Sequence, residues 1–394
     1  MSRPGGSAGI LTDRQVDIIA TRLAERVSGK PADRSATRPA IAATTSTPRR
    51  APISAPREVL GDGVFATVDD AVDAAATAFR ELDGMSLEGR QKIIASIRES
   101  MFENAEELAR LAHAETGLGR VEDKIVKNRL VTRKTSGTEV LTPQAVTGDN
   151  GLTLTEYAPY GVIGAITPTT NPTSTIICNT IAMVSAGNSI VFNVHPNARE
   201  CSMANVRLIH QAITRAGGPA NLVTAVATPT IESAQQLMGH KGVRLLAVTG
   251  GSGVVRQAMT SGKRAICAGP GNPPVVVDTT ADLDYAARNI IAGASFDNNI
   301  VCVDEKEVIA VESIADELVQ RMGHHGARVL TERELHKGTN VIFTEYPGRR
   351  QRATLEKDLI GKNASEILSR AGIASHGDPR LLVVRVSNGH PLVW

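Results

Sequence analysis

Gly161-Val162-Ile163-Gly164-Ala165-Ile166, followed by the helical pattern of Thr173 to Ala186 and the apolar run Ser189-Ile190-Val191-Phe192, decides the fold class of this 394-residue chain. A short apolar run without alternation reads as a strand buried on both faces, and a helix between two such strands is the parallel crossover unit. The pattern continues downstream. A helix is predicted over Asn197 to Ala216, a strand over Leu222 to Val226, a helix over Ile231 to Met238 and a strand over Val243 to Val248. Strands alternating with helices predict an α/β protein built on a doubly wound parallel sheet.

Beyond this sheet, Val275-Val276-Val277, a helix through Tyr285 to Gly293 and a strand over Glu307 to Val311 open a second α/β unit. Leu381-Leu382-Val383-Val384-Arg385-Val386 reads as a later strand of it. Upstream, Thr67 to Phe79 and Gln91 to Thr116 are patterned as helices, and the body begins near Glu58. Ahead of that, Thr12-Asp13-Arg14-Gln15 has capping-box spacing, and Val16, Ile19, Ala20, Leu23 and Val27 share one helix face. From Ser28 to about Arg57 the composition turns to Pro, Ala, Thr, Ser and Arg, which reads as a disordered linker. A tethered amphipathic helix either docks back on its own body or serves as a docking tag for another protein. The expected division is a helix in residues 1–30, a linker in 31–57, a cofactor domain in 58–268 and a catalytic domain in 269–394.

Composition narrows the function classes. The net charge is +2, with acidic and basic residues interspersed, and only 3% of residues are aromatic, so no phosphate-tracking stripe or base-stacking platform is apparent. Nucleic acid is not an expected partner. No apolar run is long enough to span a bilayer and no signal-peptide core opens the chain, so the expected location is the cytoplasm. The four cysteines, Cys178, Cys201, Cys267 and Cys302, form no close-spaced pair and are expected to be free thiols.

Several residues could carry chemistry. Thr249-Gly250-Gly251-Ser252-Gly253 follows a strand and opens a helix, where bare backbone N–H groups meet phosphate, although Arg256 replaces the third glycine of a dinucleotide fingerprint. Asn171 lies in the loop after a parallel strand, the edge where open sheets place ligands, and its amide could donate to an oxyanion. Cys178 and Cys201 fall in helical patterns and read as small buried apolar residues. Cys267 precedes the stiff Ala268-Gly269-Pro270-Gly271-Asn272-Pro273-Pro274 loop and Cys302 follows a polar Asp-Asn-Asn turn, so pattern alone leaves both open as nucleophile. His324 and His325 have no companion at ligand spacing and read as a solvated turn, with no metal expected.

Taken together, Pro159-Tyr160-Gly161-Val162-Ile163-Gly164, Thr169-Thr170-Asn171-Pro172, Ala186-Gly187-Asn188-Ser189, Val248-Thr249-Gly250-Gly251, Gly269-Pro270-Gly271-Asn272-Pro273-Pro274 and Phe296-Asp297-Asn298-Asn299 with Cys302 resemble the aldehyde dehydrogenase superfamily. The branch they resemble is the CoA-acylating one, the propionaldehyde and acetaldehyde dehydrogenases of bacterial microcompartments. The resemblance implies a cofactor domain and a catalytic domain, with Cys302 as nucleophile and Asn171 joining the Cys302 N–H around the oxyanion. Thr169, Thr249, Gly250, Gly251, Ser252 and Gly253 would face the cofactor. His195 stands where hydrolytic relatives have a ribose-contacting Lys, so NADP is an alternative to the favoured NAD. The segment 12–27 resembles an encapsulation peptide, which implies a microcompartment shell protein as partner and a location inside that compartment.

Two departures shape the expectation. Hydrolytic members have Glu-Leu-Gly-Gly where this chain has Ala268-Gly269-Pro270-Gly271, and that Glu is their base for activating water. Ala268 takes no proton, so a thioester on Cys302 would wait for the CoA thiol, whose pKa near ~8.5 supplies thiolate unaided. The resemblance also implies a further segment beyond Trp394 that completes the catalytic domain and contributes to subunit contacts, so the chain is expected to be a truncated version of a homo-oligomeric enzyme. The alternatives are a non-catalytic cargo protein and a reductase of acyl phosphates. For the latter the sequence shows no basic cluster near Asn171 or Cys302.

Overall fold

The computed structural model describes residues 60–393 other than 347, 349, 352 and 376. The amphipathic segment of residues 12–27 and the linker that follows lie outside the described residues.

Six parallel strands form the central sheet in the spatial order Val64–Phe65, Val223–Val226, Ser189–Asn193, Val162–Ile166, Val243–Thr249 and Ala265–Ala268. Counted from Val162, the last five run 3-2-1-4-5, the order of a doubly wound sheet, which is the fold class expected from the sequence. Val162–Ile166, with Ser189–Asn193 on one side and Val243–Thr249 on the other, is buried at all five positions. Successive side chains point to opposite faces. Ile190 and Phe192 enter a core closed by the helices Leu87–Glu103, Pro172–Ser185 and Arg199–Arg215. Val162, Ile166 and Val191 enter a second core beneath the helices Val68–Asp83, Ile231–Gly239 and Ser252–Met259.

The helices start where capping chemistry allows. Thr67 accepts from the Asp70 amide at 3.1 Å, after which Val68, Ala71, Val72, Ala75, Ala78 and Leu82 are buried at the spacing of one helical face. The pattern read over Gln91 to Thr116 begins earlier, at Leu87, and is two helices parted at Asn104. Asn197 and Ala198 belong to a 3₁₀ turn, Pro196–Ala198, and the α-helix starts at Arg199.

After Ala268 the chain opens a second set of elements. Pro274–Val277 and Glu307–Ala310 are parallel neighbours in the register Val276 to Ile309, joined through the helix Leu283–Ala294. The strand expected over Leu381 to Val386 is shorter, Leu381–Val383, and its hydrogen-bonded neighbour is Ala327–Val329 rather than either of those strands. Leu381 and Val383 still pack against the same small core, around Val277, Ile290, Leu318 and Met322. His324 is exposed and His325 lies in the turn read from the sequence. His325 caps the helix Glu312–His324 and its Nε2 lies 3.0 Å from Asp284.

Candidate active site

The two loops at the centre of the sheet's carboxyl edge follow neighbouring strands, Val162–Ile166 and Val243–Thr249, whose ends pair Ile166 with Val248. The strand order reverses between them, and open α/β sheets bind ligands at such a crevice. The second loop places Gly251 at the N-cap of Ser252–Met259 with no side chain occupying the cap. Cβ atoms added at Gly251 or Gly253 would meet nothing within 4 Å, so the backbone there is bare. Thr249, which leads into this turn, and Thr169, in the loop after Val162–Ile166, are both half-buried. His195 lies at the end of the adjacent strand, where its Nδ1 accepts from the Asn197 amide at 3.1 Å and burial lowers its proton affinity. Uncapped amides at a helix N-terminus beside an open glycine turn fit a dinucleotide phosphate.

Asn171 sits at the N-cap position of Pro172–Ser185 but does not use its side chain as a cap. Instead its Oδ1 accepts from Lys127 Nζ at 2.7 Å, and its Nδ2 donates to Thr170 Oγ1 at 3.1 Å. Lys127 belongs to the helix Val121–Lys134, which the sequence reading left unassigned. Its buried face is polar, made of Lys124, Lys127, Asn128 and Thr132, whereas Val126 and Leu130 are exposed. A search for apolar periodicity therefore has nothing to find there. The available signal was the spacing of Lys124, Lys127 and Asn128 itself, a helical stripe of polar residues.

The thiol loop is built on strained backbone. Asp297, Asn298 and Asn299 have φ of 47°, 53° and 61°, three consecutive residues in the left-handed region that Asp and Asn enter most readily after glycine. Each is fastened. Asp297 accepts from the Arg120 amide at 2.8 Å and from Lys124 at 3.1 Å, is also bonded by Lys127, and donates its own amide to Asp123 at 3.0 Å. Asn298 donates to Gly361 O and Asn363, both at 2.9 Å, and Asn299 donates to Ala294 O at 2.6 Å and Glu305 O at 3.0 Å. Lys306 closes the turn from below, its Nζ on the carbonyls of Val301, Asp304 and Asn299 at 3.0, 3.3 and 3.4 Å.

The four thiols are unpaired and differ in setting. Cys201 is buried in its helix, and burial pushes its thiol upward. Cys178 lies on the helix Pro172–Ser185 and is half-buried. Cys267 is a mid-strand residue paired with Val248, its side chain packed against the core beneath the sheet. Cys302 is half-buried on the loop tied by Asp297 and Lys127 to Asn171. Ala268 ends its strand with its carbonyl bonded to the Gly250 amide at 3.1 Å, and the loop it opens passes against Cys302, since a Cβ on Gly271 would overlap the Cys302 carbonyl oxygen.

Electrostatics follow from burial. Lys127 is lowered to about 8, chiefly by desolvation, with Asp297 opposing and Lys124 adding to the fall. Asp304 is raised to about 6 by burial, against the pull of Lys306 and Lys127. Lys306 is lowered by burial, with Asp304 and Cys302 opposing. Basic residues do therefore lie at Asn171 and at the turn before Cys302, where the sequence showed none, because Lys127 reaches Asn171 across 44 residues and Lys127 and Lys124 reach Asp297 across 170 and 173. Lys124 and Lys127 are already engaged by Asp297 and Asn171, and Lys306 by main-chain carbonyls, so these cations do not form an open anion pocket.

A doubly wound sheet with a glycine turn at its switch point, and a loop bearing Cys302 against the segment that follows its edge strand, is an arrangement that can bring a nucleotide and a thiol together. The description of the aldehyde dehydrogenase family matches residues 61–342, and the chain belongs to that family. It is 47% identical over 331 residues to the acetylating acetaldehyde dehydrogenase of Escherichia coli, covering 84% of this chain and 70% of that one. It also resembles the propionaldehyde dehydrogenase of the Clostridium phytofermentans fucose utilisation microcompartment, at TM-score 0.79 and 46% identity over 84% of this chain and 75% of that one. The Rhodopseudomonas palustris propionaldehyde dehydrogenase, solved with bound CoA and an acylated cysteine, matches at TM-score 0.80 and 45% identity over 84% and 75% of the two chains.

Proposed function

We propose that the chain converts a short aliphatic aldehyde, acetaldehyde or propionaldehyde, with NAD and CoA to the acyl-CoA, through a thioester on Cys302. The observation that carries this reading is the absence of a carboxylate at Ala268, on the segment that runs directly against Cys302.

The Cys302 thiolate adds to the carbonyl carbon, and the oxygen gains the negative charge. Asn171 Nδ2 and the Cys302 amide stabilise that oxyanion. NAD, when bound against Thr249 to Gly253, supplies the acceptor for the hydride that leaves the carbon as the C=O bond re-forms. Ala268 offers no base to water, so the thioester persists until the CoA thiolate, its proton given to solvent, attacks the same carbon and Cys302 leaves as thiolate. The sum is aldehyde, NAD⁺ and CoA giving acyl-CoA, NADH and one proton.

NADH formation from propionaldehyde is expected to require CoA for continued turnover and to vanish in Cys302→Ser. A dead Cys267→Ser with an active Cys302→Ser would refute the assignment. An acyl-phosphate reductase reading is disfavoured by the engaged state of Lys124 and Lys127.

The chain is further proposed to act inside a bacterial microcompartment, with residues 12–27 docking on a shell protein. The spacing of Val16, Ile19, Leu23 and Val27 in the sequence and the likeness to a microcompartment enzyme support this. Removing residues 1–30 should abolish co-purification with shells, and an unchanged shell fraction would refute it. A homo-oligomer is proposed as well, since the hairpin Gln144–Thr155 leaves Val146, Leu152 and Leu154 exposed.

A further inference from the structure

An asparagine that stabilises an oxyanion must present its nitrogen, yet its carboxamide has two ends of similar shape and can turn either one toward the substrate. Lys127 removes that ambiguity. An ammonium has only hydrogens to give, so the atom it holds at 2.7 Å must be Asn171 Oδ1. Nδ2 then gives one hydrogen to Thr170 Oγ1 at 3.1 Å and retains a second for a substrate oxygen.

Lys127 is itself fixed from the other side. Asp297, fully buried on the left-handed turn five residues before Cys302, bonds the same ammonium and that of Lys124. The charged groups acting on Lys127 are Asp297, Lys124 and Asp304. One buried cation thus joins the loop of the thiol to the loop of the amide. Each is placed by its own element, one on the sheet edge and one beyond it, and no direct bond between Asn171 and the thiol loop is present among the described residues.

We propose that Lys127 is a positioning residue for the oxyanion site: it locks the Asn171 carboxamide with Nδ2 toward the reacting carbonyl and, through Asp297, sets the distance between that amide and Cys302. The proposal rests on the acyl-transfer reading above. It assigns Lys127 no contact with substrate.

A double-mutant cycle of Lys127→Met and Asn171→Ala tests it. Each single variant should lower kcat with propionaldehyde, NAD and CoA by about 10²-fold, the scale of losing one oxyanion donor, with KM for NAD unchanged. The double variant should be no worse than Asn171→Ala alone, because Lys127 acts through that amide. Alkylation of Cys302 by iodoacetamide forms no oxyanion and should proceed at the parent rate in all three. Losses that multiply in the double variant, a parent-like kcat in Lys127→Met, or alkylation falling in step with turnover would each overturn the proposal. Should Lys127→Met fail to fold, Lys127→Gln, a neutral polar side chain that leaves Asp297 held by Lys124 and the Arg120 amide, is read by the same cycle. Failure of the acyl-transfer reading shows separately, as turnover surviving in Cys302→Ser.

Discussion

Gly271 lies so close to Cys302 that a methyl group on its α-carbon would overlap the Cys302 carbonyl oxygen. The contact is backbone against backbone, so no flexible side chain can move aside. Gly271→Ala is therefore expected to shift the thiol loop by some tenths of an ångström to an ångström while leaving the main sheet intact. Displacement of a reacting group on this scale costs up to about 10²-fold in rate. Expected is a kcat reduced about 10- to 100-fold with a melting temperature within a few degrees of the parent, measured by NADH formation and calorimetry. Parent-like kcat in a folded Gly271→Ala would show that the glycine loop does not set the thiol.

Gly119 bears the same relation to the charge cluster. It is left-handed, with φ of 70°, and a Cβ there would overlap Oδ1 of Asp297 and come 3.1 Å from Lys124 Nζ. Gly119→Ala thus combines backbone strain of roughly 1–2 kcal/mol with displacement of the carboxylate that neutralises Lys124 and Lys127. Breaking a buried ion pair costs about 3–5 kcal/mol. The urea midpoint should fall accordingly with little change in slope, and a loss under about 1 kcal/mol would mean that the cluster readily rearranges.

Asp304 gives a pH signature. Burial raises its carboxyl to about 6, so the folded state binds the proton more tightly than an unfolded aspartate titrating near ~4. The stability this group contributes is fully present below pH ~4 and is lost as pH rises through about 6. Asp304→Asn does not titrate and keeps what the parent loses. Its stability relative to the parent should therefore climb between pH 4 and 6 and level off above, by on the order of 1–3 kcal/mol. A difference that stays flat across that window would show that Asp304 is not protonated more readily in the folded chain.

The four inner strands of the sheet were legible because they are short apolar runs between helices, and such runs state their burial directly, whereas the two-residue edge strand Val64–Phe65 is too short to show a pattern. Val162–Ile166 and Ser189–Asn193 differ from the reading by one residue at an end. The turn at Thr249 to Gly253 and the loop at Asn171 follow from the same alternation. Lys127 was not legible, since its helix buries charges and exposes Val126 and Leu130, reversing the pattern on which helix faces are read. Composition cannot show that Lys127 and Asp297 meet, because the pair spans 170 residues and depends on three left-handed residues in a row. Cys267 and Cys302 likewise look alike as letters, and only the strand register that packs Cys267 against the core separates them.

In the proposed mechanism the choice between acid and acyl-CoA turns on one side chain, which makes it open to reversal. Ala268 is exposed at the end of its strand, on the segment whose Gly271 abuts Cys302. Ala268→Glu introduces a carboxylate there without displacing a buried atom, so the variant should fold with stability near the parent's. A carboxylate within one water molecule of the thioester can draw off a proton as that water attacks, an effect worth typically 10²–10⁴-fold where the base is well placed. Release of free carboxylic acid from propionaldehyde and NAD without CoA should thus rise at least about tenfold over the parent, while CoA-dependent flux falls as water competes for the same intermediate. The two products, separated by chromatography after a single incubation, give the partition directly. If Ala268→Glu folds and still releases no acid, persistence of the thioester must come from exclusion of water around Cys302 rather than from the missing base.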